Sequence, residues 1–331
     1  MLHADIDKLF HEMSQLRVGV IGDAMLDTYW WGNVERVSPE APVPVVAVTL
    51  REQRIGGAGN VALNVKSLGA SVSMLTVLGK DDDGDQLAAL LQKEGIETRY
   101  MVHSEHRITT NKIRIISRNQ QMMRLDAELT TELPEDEQDK LLYAVENFIA
   151  AEDPDVIIFE DYNKGVLTEH VIRDVISLCK KHGIKTAVDP KRKNFFSYVH
   201  ADIFKPNWKE VKEAFNIISD QVSFSLLKDI HVQLEDKLKH KVSLITLSEK
   251  GVFYHQGDEA GMLATHIRNV ADVSGAGDTV IAVAALVYAA TGDIALMAEV
   301  ANIAGGLVCE EVGTAAIDRE QLQAECKRLL A

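Results

Sequence analysis

The run Asp272-Val273-Ser274-Gly275-Ala276-Gly277-Asp278-Thr279 leads straight into an apolar, helix-like stretch over residues 280–290. It brings small residues, a helix start and a carboxylate to one point. Gly275, Ala276 and Gly277 carry almost no side chain, so their N–H groups can crowd around an anion, and the positive helix end adds to the attraction. Such a pocket suits a phosphoryl group in transfer. Asp278, on the first turn, is placed to take the proton of an attacking hydroxyl while the amides hold charge developing on the phosphate. The same residues also describe an ordinary helix start, with Asp278 or Ser274 as cap and the glycines as turn residues.

A second glycine block, Gly56-Gly57-Ala58-Gly59-Asn60-Val61-Ala62-Leu63-Asn64, lets the backbone approach a ligand closely and sets Asn60 and Asn64 on one side of the following helix. That arrangement suits sugar hydroxyls. Gly57-x-Gly59-x-x-Ala62, with acids at Asp81 to Asp83 about twenty residues on, also fits a dinucleotide fingerprint. That reading requires an apolar strand directly before the glycines, whereas Arg51-Glu52-Gln53-Arg54 stands there. Upstream, Val18-Gly19-Val20-Ile21-Gly22-Asp23-Ala24-Met25-Leu26-Asp27 reads as a buried strand ending in glycine and two acids, and ligands in open α/β sheets bind at strand ends. Either acid could instead cap a loop or helix.

These blocks, in this order, resemble the PfkB, or ribokinase-like, carbohydrate kinases. Further segments are similar to the branch that acts on D-glycero-β-D-manno-heptose 7-phosphate: Arg36-Val37-Ser38-Pro39-Glu40-Ala41-Pro42, Ser117-Arg118-Asn119-Gln120-Gln121 with Arg124-Leu125-Asp126, Asp161-Tyr162-Asn163-Lys164-Gly165, Asp189-Pro190-Lys191 and Pro206-Asn207-Trp208-Lys209-Glu210. The likeness runs over residues 18–317. Kinases of that branch are in many bacteria fused to a nucleotidyltransferase, and only kinase-like segments are recognised here.

The resemblance implies Asp278 as catalytic base, with Gly275, Ala276 and Gly277 as anion hole. It implies Asp27 on substrate hydroxyls, with Asp23, Gly56, Gly57, Asn60 and Asp161 in the same substrate set. Asp23 stands where many relatives have a small polar residue. Asn207 and Glu210, spaced to share one side of a helix start, would hold Mg2+ and ATP phosphate through water. Thr246, Ser248, Glu249 and Gly251 resemble the nucleotide-binding strand end, though many relatives have glycine at Ser248, and Asn302 falls in the segment that closes the adenine site. Asp272 and Ser274 match positions that bind a monovalent cation, such as K+, in several relatives.

The 331 residues, 46% of them hydrophobic, can fill a sizeable core. Strand-like runs over 72–78, 155–160, 184–189 and 242–247 alternate with helical patterns near 134–151 and 168–182. This is the βα rhythm of a mostly parallel sheet covered on both faces. Residues 28–50 and 98–127 are rich in Val, Ile, Thr, Tyr and Trp and read as strands without long helices between them. The expected fold is a ribokinase-like three-layer α/β/α sandwich with a small antiparallel β lid. Its core takes in residues 1–27, 51–97 and 128–331, and the lid residues 28–50 and 98–127. Trp30, Trp31, Pro42 and Pro44, read as exposed, fit a homodimer interface through that lid, although aromatic residues in a strand more often serve simple packing.

A formal net charge of −15 disfavours nonspecific attraction to nucleic acid or anionic membrane. Cys179, Cys309 and Cys326 are scattered, suggesting neither a disulfide framework nor a zinc site. The N-terminus lacks a basic-then-apolar leader and no apolar stretch is long enough to span a bilayer, so a cytoplasmic enzyme is expected. A phosphorylated substrate must therefore meet local cations. Arg118 and Arg124 from the lid, and Lys164 and Lys191 from loops after strands, are the candidates. The reading is an ATP-dependent kinase for the anomeric hydroxyl of a heptose 7-phosphate. Another sugar for the same kinase family, and a noncatalytic sugar or nucleotide sensor, stay open.

Overall fold

A computed structural model of the chain describes residues 5–118, 120–219, 221–266, 270–311 and 313–330. The apolar runs assemble into an eight-stranded sheet in the order Glu259–Leu263, Val252–Gln256, Val242–Thr246, Ile203–Phe204, Lys185–Asp189, Val156–Glu160, Arg17–Gly22, Ser71–Leu75. Pairing is parallel from Val242–Thr246 to Ser71–Leu75, and antiparallel for the two strands at the far edge. The run expected over 72–78 divides. Thr76 leaves the ladder to donate its hydroxyl to the Gly22 carbonyl at 2.7 Å, and Val77–Gly79 pairs instead with Val102–Ser104 in a separate two-stranded ribbon.

Successive strand residues serve opposite layers. Val156 and Ile158 pack with the helices Ile6–Ser14, Ala58–Ser67, Ala276–Thr291, Ile294–Val308 and Arg319–Leu330. Ile157 and Phe159 pack with Glu135–Glu152, Glu169–His182, Trp208–Phe215 and Phe224–Leu238. A strand buried on both faces must be apolar throughout, which is why its sequence shows a run rather than alternation. The helix Ala276–Thr291 obeys the same logic: residues 278–288 are all buried, because it lies between the sheet and neighbouring helices.

The lid is a four-stranded sheet ordered Pro44–Gly57, Ala24–Val37, Asn111–Ser117, Gln120–Ala127. Its two hairpins are antiparallel and join along a parallel central pair. The first hairpin runs beyond residues 28–50 on both sides. It springs from the core strand through Gly22 and Asp23, and passes from Gly57 directly into the helix Ala58–Ser67. Within 98–127, Val102–Ser104 belongs to the two-stranded ribbon rather than the lid. Trp30 and Trp31 are half-buried rather than exposed, because Arg51 covers the Trp30 ring at 4.9 Å and Tyr29 stacks on Trp31 at 6.3 Å. Pro42 and Pro44 are exposed. Among the described residues no helix is long and apolar enough to cross a membrane.

Candidate active site

The parallel strands deliver Gly22, Glu160 and Asp189, in register, to one edge of the sheet, and the start of Ala276–Thr291 meets them there. Gly275 caps that helix at φ 81°, a conformation costly for other residues, and a Cβ there would stand 2.9 Å from the Asn60 amide. The Ala276 N–H donates to the Val273 carbonyl at 3.3 Å. The amides of Gly275, Gly277 and Asp278 have no acceptor among the described residues, so three amides are presented to an anion, with that of Asp278 in place of the expected Ala276.

Asp278 is 4% exposed. Asn60 donates to its Oδ2 and the Tyr162 hydroxyl to its Oδ1, each at 2.7 Å. Burial lifts its pKa to about 6; the bonds from Asn60 and Tyr162 hold it down, while the charge of Asp189 pushes further up. A carboxylate so poised is ionised at neutral pH yet basic enough to take a proton. Tyr162 stays a phenol, because burial and the Asp278 charge raise its pKa well above 10.0.

Asn60 was expected on substrate hydroxyls. It is fully buried and spent on Asp278. Asn64, one turn on, donates to the Asn60 carbonyl at 2.8 Å and accepts from the Thr279 hydroxyl and the Ile317 N–H, both at 3.0 Å. The two asparagines therefore lock the helix Ala58–Ser67 to the helix Ala276–Thr291.

Behind Asp278 lies a charged floor. Lys205, 2% exposed, reaches Asp189 at 2.7 Å, and a Cβ on Gly277 would stand 3.7 Å from both partners. Lys191 lies 2.8 Å from Glu210 and 3.5 Å from Asp189. Burial works against its proton, but Asp189 and Glu210 outweigh that and hold it firmly charged. Lys191 is thus bound to carboxylates rather than offered to a sugar phosphate. Glu160 is fully buried with no hydrogen bond to either oxygen, and burial, then Asp189 and Asp278, push its pKa well above the usual range.

Asn207 and Glu210 form a reciprocal capping box: Asn207 accepts the Glu210 N–H at 2.9 Å and Glu210 the Asn207 N–H at 2.8 Å. No group of three or more His, Cys, Asp or Glu among the described residues could hold a metal alone. Magnesium needs only one or two carboxylates when it arrives on nucleotide phosphates, and Glu210 with Asp189 meets that need. Asp272 closes a turn, accepting from the Ser274 N–H and hydroxyl at 2.9 Å, and ties it to the Gly313 N–H at 3.0 Å. Burial raises its pKa, but these bonds hold it below 3.8 overall.

At the strand end expected to meet nucleotide, Ser248 adopts φ 54° and Gly251 φ 98°. Both lie in the left-handed region that favours glycine. Ser248 and Glu249 are exposed, Thr246 bridges to Asn207, and Asn302 donates to the Ala264 carbonyl at 2.9 Å.

Other expected contacts resolve into scaffolding. Asp23 accepts backbone N–H groups of Tyr162 at 2.8 Å, Lys164 at 3.0 Å and Val166 at 3.1 Å, so it pins the loop bearing Tyr162 rather than holding substrate. Asp161 is 1% exposed and accepts from Tyr198, Asn163 and Asn194; burial, then the Asp23 charge, lift it to about 6. It faces the interior. Lys164 sits 2.6 Å from Glu128. Arg118 is exposed at the lid hairpin tip, about 20 Å along the strand from Lys112. Arg124 is closed by a two-point bond to Asp126 at 2.8 and 2.9 Å.

On the lid, registry builds two charged rows: Arg54, Asp27, Lys112, Asp126, and beside it Glu52, Tyr29, Arg114, Arg124. Asp27 is bound by Arg114 at 2.5 Å, beside Gly56, where a Cβ would collide with the carboxylate.

The pfkB family carbohydrate kinase profile matches residues 15–321, which takes in every feature above. The chain belongs to the pfkB family of carbohydrate kinases. Among curated relatives, "Bifunctional protein HldE" of Sulfurimonas denitrificans is 39% identical over 93% of this chain and 63% of its own length. HldE of Desulfatibacillum aliphaticivorans is 39% identical over 94% and 63%, and that of Geobacter sulfurreducens 37% over 97% and 65%. This pfkB chain thus spans about two-thirds of the length of those relatives. In fold it is similar to phosphofructokinase-2 from Escherichia coli in complex with potassium (TM-score 0.78, 18% identity, 95% of this chain and 100% of that one). It is similar too to Arabidopsis thaliana ribokinase complexed with ribose and ATP (TM-score 0.72, 17% identity, 93% and 99%).

Tyr162, Glu160, Lys205, Lys112 and Arg114 escaped the sequence-based reading as site residues. Lys205 had one signal, a lone charge directly after the apolar pair Ile203 and Phe204. Tyr162 and Arg114 had none of their own, since their roles arise from partners 116 and 87 residues away.

Proposed function

We propose that this pfkB kinase transfers the γ-phosphoryl group of ATP to the anomeric hydroxyl of D-glycero-β-D-manno-heptose 7-phosphate, giving the 1,7-bisphosphate for ADP-heptose and lipopolysaccharide core synthesis. The observation that carries the chemistry is Asp278, with a pKa of about 6, set one residue past the free amide of Gly277 at a helix start. Identity of 37–39% to proteins named HldE supports the choice of sugar.

In this reading the acceptor hydroxyl binds at Asp278, whose carboxylate takes its proton as the sugar oxygen bonds to the γ-phosphorus. The bond from that phosphorus to the bridging oxygen breaks, and ADP leaves with the electron pair. The Gly275 and Gly277 amides and the helix end hold the phosphoryl oxygens. Asn60 and Tyr162 keep Asp278 oriented, and Lys205 neutralises Asp189 beside the helix start. Magnesium, held by Glu210 and Asp189 with water, would supply charge neutralisation on the nucleotide phosphates. K+ at Asp272 and Ser274 belongs to the same proposal.

The opposite lid face carries Trp30, Ile113, Ile115, Met123 and Leu125, with Met123 54% and Leu125 44% exposed. Such a face calls for cover, and a second copy of the chain in a cytoplasmic homodimer supplies it. The deciding experiment is ADP release measured with heptose 7-phosphate, heptose, fructose 6-phosphate and ribose. Strongest turnover with heptose 7-phosphate is expected. Preference for an unphosphorylated sugar would overturn this substrate, and no turnover with any sugar would favour the sensor.

A further inference from the structure

The cations around the pocket are nearly all taken. Arg114 holds Asp27, Arg124 holds Asp126, Lys164 holds Glu128, Lys205 holds Asp189, and Lys191 lies between Glu210 and Asp189. Lys112 differs. Its strand neighbours in register are Asp27 and Asp126, the two carboxylates already claimed by arginines on the same face. The Lys112 ammonium makes no ion pair or hydrogen bond among the described residues, although the residue is half-buried and its carbonyl accepts from Arg114 at 3.5 Å. Its ammonium lies 5.2 Å from the centre of the Tyr162 ring. Burial lowers its pKa below 10.5; Asp27 resists that, and Lys164 adds to it.

A half-buried ammonium with three unused donors is costly unless a ligand completes it. The ligand must be anionic, because Arg114, Arg124 and Lys164 are already matched by Asp27, Asp126 and Glu128, which leaves the Lys112 charge unmatched. It must also lie at the acceptor's far end. The Tyr162 hydroxyl donates to Asp278 at 2.7 Å, so one phenol ring separates the base from Lys112, the spacing of the two ends of a sugar. The nucleotide end, at Thr246 and Ser248, lies on strands well removed from the one that feeds the lid.

The geometry points to Lys112 as the residue that receives the phosphomonoester of the acceptor sugar and so decides between phosphorylated and unphosphorylated substrates. This rests on the sugar-phosphate reading above, and it replaces Lys164, Lys191 and Arg118 in that role. Tyr162 then serves both ends: its hydroxyl orients the base and its ring seats the ammonium.

The test is steady-state kinetics on the parent, Lys112→Met and Lys112→Arg with heptose 7-phosphate and with heptose. In Lys112→Met, kcat/KM for the phosphorylated sugar should fall about ten- to a hundred-fold, chiefly through KM, with heptose and MgATP little affected. Lys112→Arg should recover part of the loss. Phosphite added with heptose should stimulate the parent and not Lys112→Met. A parent that prefers heptose 7-phosphate while Lys112→Met stays within twofold would overturn the inference alone. Equal losses on both sugars, with a normal melting temperature, would also overturn it, since Lys112 would then act through Tyr162 and Asp278. A parent with no preference would instead sink the sugar-phosphate reading itself.

Discussion

Replacing Asp278 by Asn should abolish turnover and stabilise the protein. An Asn side chain keeps the shape and can satisfy both neighbours, accepting from Asn60 through its oxygen and donating to the Tyr162 oxygen. Basicity is what disappears, and general-base catalysis is worth about 10²–10⁴-fold, so kcat should fall by that factor while KM for ATP changes little. The stability effect follows from linkage. The folded pKa of about 6 lies above the ordinary 3.8, so the penalty of the buried carboxylate builds up as pH rises from 3.8 and is complete above about 6. That difference corresponds to an upper bound of about 3 kcal/mol, and Asp278→Asn should recover a large part of it at pH 7.5. For a chain of this size 1 kcal/mol moves the melting temperature by about 2 °C. The assays are coupled ADP release and calorimetry of the parent and variant at pH 7.5 and pH 5. Activity within about twofold of the parent would remove Asp278 as base, and a stability gain equal at both pH values would show that the carboxylate is not strained by burial.

Tyr162→Phe deletes a bond that holds the Asp278 pKa down, so the acid limb of kcat/KM should move up by about one pH unit; an unmoved limb would refute the role of Tyr162. His231, His240 and His255 are buried around Ser243, and burial lowers His231 to about 4 and His240 to about 3. The unfolded chain therefore binds these protons first: their contribution to stability is intact above pH 6.5 and is lost as pH falls toward 4, and His231→Asn should show a shallower fall of melting temperature. An identical slope in the variant would count against the cluster. Met123→Glu combined with Leu125→Glu places charge on the exposed lid face and should give a monomer by light scattering, whereas a parent that is monomeric at all working concentrations with sugar present would exclude the lid dimer.

The strands and helices of the core were legible because each obeys a local rule. Residues 155–160 are apolar in succession because both faces are covered, and the helix start at Gly275 to Asp278 announces itself by small residues and a following apolar run. The site was legible only in part. Asp278 could be read, since its role depends on its own helix. Asp23 and Asp161 could not be told from ligand-binding acids, because what occupies them is the loop 161–166, Asn194 and Tyr198, contacts that sequence spacing does not encode. Nor could the four candidate cations be ranked. A lysine's charge is visible in sequence, but whether a carboxylate already holds it depends on the fold: a loop contact gives Glu128 to Lys164, and strand register sets the Lys112 ammonium between two carboxylates that arginines already hold.

The reactivity assigned to Asp278 is a consequence of the architecture as much as of the residue. The helix it begins is apolar on every side because it is packed between sheet and helices, and that burial extends to its first turn, where Asp278 is removed from water. A carboxylate there cannot be solvated, so its charge must be carried by fixed donors. Asn60 arrives from the helix Ala58–Ser67, which follows the lid without a break, and Tyr162 from the loop pinned by Asp23 at the lid's root. Both donors therefore come from segments that meet at the root of the lid. Asn64 ties the first of these segments to Thr279 and Asp23 ties the second to the end of the core strand, so the donors that carry the Asp278 charge are themselves held by the scaffold.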